Sequence, residues 1–499
     1  MPDEGRYVGV AWEMLRSGDW LVPTLDGLPF FHKPPLFYWI TAGAMQVLGP
    51  SVAASRAAAW LASVMVSTAL FAFLRHWVGR KQAWTTVVVL ATIPLFYGAA
   101  QYANMDMLVA AFVSATILLL AQAALARAEA QRYGRALAGA FIAAALGVLA
   151  KGLIGVVLPF LVLLIWGTAT RRLAKVITLL MWGPGWLLFS VIAAPWFMVM
   201  QSRFPDFLHY FFVVQHFQRY TSASFNNGQA WWFYPLALMA LALPWSPWLM
   251  ASFRPRQTRA PVHADVRALM LVWACTVIAF FSLPSSKLVG YILPAVPPLA
   301  FLIADAASPF WSKSRASIAR RPDRLTRTLT GWLAATPALA AVVCLAAAVA
   351  AHFYQPKSLQ TLGESLRGSR HVGEPVIFVG AYFYDVSFYA RLEAPVSVID
   401  PWLPADMADD SWRRELIDAE RFAFTSSTRH LLHPDELAAT LCRARSNWVV
   451  GPWPAPTAMP WLQAVTPTHK SGATALWHLD TQATSIRTSL HCGNLAARP

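Results

Sequence analysis

From about residue 57 to 351 the chain alternates long apolar blocks with short polar turns. Blocks of this kind read as membrane-crossing helices, because a hydrocarbon core of about 30 Å takes roughly 20 residues at 1.5 Å each. The pattern predicts ten spans, at 57–74, 84–101, 107–126, 136–150, 152–167, 176–199, 233–250, 268–283, 288–304 and 329–351. After residue 353 the pattern changes. Short β-rich runs at 375–380, 396–400, 448–451 and 475–478 alternate with helical stretches at 411–422 and 434–445. That alternation predicts an α/β domain.

The basic residues fix an orientation. Alternate loops carry Arg75, Arg80, Lys81; Arg127, Arg132, Arg135; Arg171, Arg172, Lys175; Arg254, Arg256, Arg259, Arg267; and Lys313 to Arg327. The opposite side holds only scattered cations, among them Arg6, Lys33, Lys151, Arg219 and Lys287. The positive-inside rule puts the first set in the cytoplasm. The N-terminal block, the 201–231 loop and the C-terminal domain then lie outside. Fusing 136–167 into one helix of about 48 Å would flip every later loop, so Lys151-Gly152 is expected to be an outer turn.

Composition agrees with this reading. Hydrophobic residues make up 57% and charged residues 13% of the chain, against about 25% charged in ordinary globular domains. The net charge of +15 does not signal nucleic acid, because it sits mostly in the short loops. The expected architecture is a polytopic α-helical membrane protein. Residues 1–56 form an outer loop with juxtamembrane helices, 57–352 the transmembrane domain and 353–499 a periplasmic α/β domain. No signal peptide precedes Asp3, although the chain opens outside; an upstream span missing from this sequence is the expected reason, and translocation by the first hairpin the alternative. Cys275 and Cys344 fall in spans as packing residues. Cys442 and Cys492 fall in the outer domain, where an oxidising compartment permits a disulfide.

The candidate chemistry gathers on the outer side. Pro2-Asp3-Glu4 reads as a helix start, with Asp3 sharing a face with Arg6 and Tyr7 and an apolar stripe suited to the membrane surface. The plain alternative is a helix cap with a surface ion pair. Lys33, before Pro34-Pro35 and the amphipathic stretch Leu36–Leu48, can meet a phosphate as a point charge or simply snorkel at the interface. Asp106 and Lys151 are single charges at the ends of apolar runs, and Asp106 can also act only as a helix cap. His216 and Arg219 stand in an aromatic and amide-rich loop, and Lys287 precedes Tyr291 where the chain re-enters the membrane. Cations at headgroup level beside carboxylates point to a lipid-phosphate substrate.

The ordered set Asp3-Glu4-x-Arg6-Tyr7, Gly18-Asp19-Trp20, Lys33-Pro34-Pro35, Met105-Asp106, Lys151-Gly152, His216-x-x-Arg219-Tyr220 and Ser286-Lys287-x-x-x-Tyr291 resembles the aminoarabinose transferase family. That family stands with the protein O-mannosyltransferases in the polyprenyl-phosphate-dependent (GT-C type) superfamily. The resemblance spans about 2–304 and implies transfer of a sugar from an undecaprenyl-phosphate donor at the outer face of the bacterial inner membrane. The acceptor implied first is a lipid A phosphate; a protein hydroxyl or another envelope glycan is the alternative. Asp3 and Asp106 are implied as the catalytic acids. Arg6, Tyr7, Lys33, Lys151, His216, Arg219, Lys287 and Tyr291 are implied as substrate-binding. No definite cofactor follows, and a divalent metal stays open. Relatives commonly carry Glu where His32 and Gln215 stand, so metal binding at those positions and an identical donor sugar do not carry over. The competing class, a lipid-phosphate or sugar transporter, favours charges near the bilayer midplane; here the predicted spans are nearly free of them.

Overall fold

A computed structural model describes residues 2–218, 228–252, 261–316, 324–354, 358–403, 411–423, 430–456 and 459–492. Two compact units share the chain. One comprises Met1–Phe31, Thr41–Pro50 and Tyr354–Pro499, the other His32–Ile40 and Ser51–Phe353.

The second unit is helical. Among the described residues seven helices are long and apolar enough to cross a membrane: Ala57–Trp77, Met105–Ala128, Gly134–Lys151, Gly183–Arg203, Pro261–Ser282, Val289–Ser308 and Ala335–Phe353. The chain is a multi-pass membrane protein. Met105–Ala128 lies at the centre, with 89% of its apolar window buried, and packs on Ala57–Trp77 and Gly134–Lys151.

Several predicted spans are interrupted, three of them beside a proline. The 84–101 interval is two helices, Arg80–Ala91 and Pro94–Ala100, bent by 71°. Pro94 lacks the N–H the helix would use, and the Thr92 hydroxyl donates back to the Val88 carbonyl at 2.6 Å. The 176–199 interval divides into Leu173–Leu180 and Gly183–Arg203 around Pro184. The 233–250 interval divides into Phe233–Leu241 and Ser246–Ser252 around Pro244. The 288–304 interval opens as a 3-10 turn, Val289–Ala295, before becoming α-helical at Val296.

After Lys151 the chain turns at Gly152, whose φ of +91° suits glycine. The helices Gly134–Lys151 and Ile154–Ala169 then pack backbone to backbone. A Cβ on Gly155 would lie 2.3 Å from the Gly147 carbonyl carbon, the close approach that small residues permit inside membranes.

The first unit combines the chain's two ends. Its opening helix, Pro2–Ser17, leads to a hairpin of β1 (Thr24–Leu25) and β2 (Leu28–Pro29) closed by Asp26-Gly27, both at positive φ, as a type I′ turn requires. The Glu13 carboxyl holds that turn, accepting from Thr24 Oγ1 at 2.9 Å, Asp26 N at 2.7 Å and Gly27 N at 2.9 Å. Asp26 Oδ1 in turn accepts from Val396 N at 2.9 Å. Burial raises the pKa of both carboxyls, and the Glu13 charge lifts Asp26 further. Of the stripe expected to lie on the membrane surface, running through Tyr7, Ala11, Trp12 and Leu15, Tyr7 and Ala11 are buried inside the protein and Trp12 and Leu15 are half-buried. The opening helix meets the helix Tyr384–Tyr389 so closely that a Cβ on Gly5 would fall 2.9 Å from Asp385 N.

The remaining strands are β3 (Val376–Val379), β4 (Ser397–Ile399), β5 (Leu431–Leu432), β6 (Ser446–Pro452), β7 (His469–Ser471) and β8 (Thr474–Asp480). They form one sheet in the order β5-β4-β3-β6-β8-β7, with β5-β4-β3-β6 parallel and β6-β8-β7 antiparallel. All four residues of β3 are buried, as befits a parallel strand covered on both faces. Cys442 and Cys492 are disulfide-bonded, with Cα atoms 5.6 Å apart.

Where β6 begins, Glu374 accepts from Trp448 Nε1 at 2.7 Å, His371 N at 2.9 Å and the Ser446 hydroxyl. Burial alone would raise its pKa, but these bonds and the nearby His478 prevail and hold it at about 2. A depressed carboxylate stabilises the fold above the free glutamate value of 4.5 and loses that contribution as pH falls through about 2. Glu374→Gln is therefore expected to lower the unfolding temperature at pH 7. The gap to wild type should narrow below pH 4.5 in a thermal melt series; a pH-independent gap would contradict this.

Candidate active site

Asp106 opens the helix Met105–Ala128 and Lys151 closes the helix Gly134–Lys151. Each charge therefore sits at the helix end whose dipole favours it. Asn104 caps the first helix, its Oδ1 accepting from Asp106 N at 3.0 Å. The Lys151 ammonium donates to Asp106 Oδ1, and both side chains are largely enclosed, 18% and 10% exposed. The same ammonium lies 4.2 Å from the centroid of the Tyr291 ring, a cation–π contact. The 3-10 turn brings Tyr291 there and sets Gly290 directly against the Asp106 carboxylate.

The segment before this turn is tied down by its backbone. Gly228 and Ser286 form a β-bridge, and Gln229 N donates to Ser285 O at 3.0 Å. Lys287, expected as a substrate ligand, is buried and donates to the carbonyls of Gln229, at 2.9 Å, and Pro284. Burial lowers its pKa. The Tyr234 hydroxyl donates to Leu288 O at 3.0 Å.

Another stretch of the same unit carries Lys33, half-buried. His32, just before it, is buried, and its Nε2 lies 2.9 Å from the Tyr210 hydroxyl, which also accepts from Gln215 Nε2 at 2.9 Å. The two positions that depart from the family pattern thus meet through one tyrosine. Arg219 lies outside the described residues, as do the side chains of Asp3 and His216.

In the other unit Arg6 is committed to protein contacts. Its guanidinium bonds Glu415, which also accepts from the Tyr384 hydroxyl, and it lies 5.0 Å from the centroid of the Tyr7 ring. Tyr7 is buried. Glu415 and Tyr384 escaped the sequence reading because nothing in the 409 residues separating Arg6 from Glu415 marks the pair. Gly290 and Tyr210 escaped it as well. A lone glycine before a tyrosine, or a tyrosine within an aromatic run, carries no local signal of its partner.

The opposite ends of the bundle hold a separate charge cluster. Arg172 pairs with Asp265 at 2.7 Å, and Arg267 with Asp305 at 2.8 Å. These contacts join helices to each other. A carboxylate and an ammonium held together over an aromatic ring can bind an anion at the amine and steady positive charge, or accept a proton, at the acid. No group of three or more His, Cys, Asp or Glu that could hold a metal occurs among the described residues.

Asp106→Ala is expected to cost about 1–3 kcal/mol of stability, because it strips a hydrogen-bond acceptor from a largely enclosed ammonium. Adding Lys151→Met should recover most of that loss, as replacing a whole buried pair by apolar groups often does. Thermal unfolding in detergent checks both; an unaltered melting temperature for Asp106→Ala would contradict the pairing.

The family model of the dolichyl-phosphate-mannose-protein mannosyltransferases matches residues 1–211. The undecaprenyl phosphate-α-4-amino-4-deoxy-L-arabinose arabinosyl transferase of Aeromonas salmonicida is 30% identical over 457 residues, covering 88% of this chain and 79% of that protein. Its namesake from Pectobacterium carotovorum is 32% identical over 371 residues, covering 71% and 63%. The crystal structure of ArnT from Cupriavidus metallidurans bound to undecaprenyl phosphate superposes with a TM-score of 0.75 at 21% identity, covering 96% of this chain and 93% of that one. The archaeal oligosaccharyltransferase AglB from Archaeoglobus fulgidus follows at 0.53 and 11% identity, covering 97% and 71%. The helical bundle with a sheet-containing C-terminal domain is thus the fold these enzymes share.

Proposed function

The chain belongs to the undecaprenyl phosphate-aminoarabinose arabinosyl transferase family, and from that premise we propose that it moves an aminoarabinose-type sugar from undecaprenyl phosphate to a lipid A phosphate. The reaction runs at the periplasmic face of the bacterial inner membrane. The basic loops support this orientation, because they leave Lys33, Asp106, Lys151 and Tyr291 on the side away from the positive charge.

The observation that carries the reading is the Asp106–Lys151–Tyr291 cluster. An acceptor phosphate oxygen attacks the anomeric carbon while the carbon–oxygen bond to the donor phosphate breaks, its electron pair leaving with that phosphate. The acceptor enters opposite the departing phosphate, so the configuration inverts. A departing phosphate needs cations, and Lys33 and Arg219 supply them. The anomeric carbon gains positive charge in the transition state, which a carboxylate stabilises; Asp106 takes that part, with Lys151 fixing its orientation. Asp3 takes the second acidic role, orienting the acceptor. A phosphate acceptor is already nucleophilic and needs no strong base. Lys287, held by backbone carbonyls, shapes the segment that leads to Tyr291.

Mass spectrometry of lipid A from cells with and without this gene tests the proposal. A gene-dependent mass of one aminoarabinose on a phosphate is expected, and an unchanged lipid A spectrum beside altered glycoproteins would overturn the acceptor. Lys33→Ala and Arg219→Ala should each raise KM for the lipid donor by about tenfold or more, the worth of one charge-assisted bond of about 1.5–3 kcal/mol. Unchanged donor affinity in both would remove them from the phosphate site.

A further inference from the structure

Gly290 stands one residue before Tyr291 in the 3-10 turn Val289–Ala295. Its φ is not among the positive values in this chain, so the backbone there would accept any residue. The reason for glycine is space. A Cβ at this position would lie 2.1 Å from Oδ2, 2.9 Å from Cγ and 3.2 Å from Cβ of Asp106. Heavy atoms make favourable contact only at about 3.5–4.0 Å. The other carboxylate oxygen, Oδ1, accepts from Lys151, whose ammonium lies over Tyr291. Asp106 is thus confined between a bare Cα on one side and an ammonium on the other.

The turn has little freedom to step back. Tyr234 holds Leu288 O, Lys287 holds Gln229 O, and Gln229 N holds Ser285 O. A side chain at 290 would therefore be accommodated by rotating the carboxylate, the free end of a short side chain, and rotation breaks its bond to Lys151. We propose that Gly290 is a positioning residue for the transfer reaction, its missing side chain setting the rotamer in which Asp106 faces Lys151. This rests on Asp106 being the reacting carboxylate.

Gly290→Ala in the full-length protein tests it with two readouts. Turnover with undecaprenyl-phosphate aminoarabinose and lipid A should fall about 100-fold, the scale of a misplacement near 1 Å, with little change in donor KM. Lys151, freed from the carboxylate, should be acylated by an amine-reactive reagent as readily as in Asp106→Ala, read by mass spectrometry of its peptide. Wild-type labelling in folded Gly290→Ala would overturn the proposal. Raised labelling with unchanged turnover would leave the steric relation standing, but would remove Asp106 from the reaction and with it the role of Gly290. Should Gly290→Ala fold poorly, the double variant with Asp106→Gly should melt where Asp106→Gly does, because Oδ2, Cγ and Cβ, the three atoms the methyl would strike, are then all gone. A further drop in the double variant would overturn the steric coupling.

Discussion

A carboxylate at the end of a membrane helix is stable only with a counter-charge in reach, and the helical unit is arranged so that Asp106 has Lys151. The two lie on helices that pack along their length, each charge at the end its helix dipole favours. The turn at Gly152 and the Gly147–Gly155 contact keep Lys151 at the mouth of the helix pair. Tyr291 covers the ammonium only because the chain enters its next span through a 3-10 turn. The charge pair, the glycine contacts and the irregular turn together place a carboxylate and an ammonium at the end of an apolar helix pair.

The other unit uses carboxylates differently. Glu13 organises the Asp26-Gly27 turn by accepting three hydrogen bonds, and Glu415 binds Arg6 and Tyr384 together. The opening helix therefore belongs to the body of the C-terminal domain, and its apolar stripe serves packing where the periodicity suggested a membrane surface.

Hydropathy located the long helices because burial in lipid and burial in a bundle demand the same apolar runs. It could not locate the breaks at Thr92-Pro94, Pro184 and Pro244, since the flanking residues are as apolar as a continuous span. The strands at 376–379, 397–399, 446–452 and 474–480 were legible from their β-branched and aromatic runs; their order was not, because pairing β3 with β6 depends on contacts some seventy residues apart. Within the site, Asp106, Lys151 and Tyr291 were legible as isolated polar residues at the ends of apolar runs. Charge and placement alone could not tell which protein groups each cation meets. Lys287 and Arg6 look like phosphate ligands in sequence, yet one is caged by carbonyls and the other paired with Glu415.

The central claim is that the Asp106 carboxylate, held by Lys151, acts on the donor sugar. The most direct measurement is single-turnover transfer by purified protein in liposomes, comparing wild type with Asp106→Asn, which keeps shape and loses charge. Donor binding near the wild-type level with transfer reduced by about 100-fold or more, the effect of removing one preorganised electrostatic group, is the predicted result. Transfer at the wild-type rate would contradict the account.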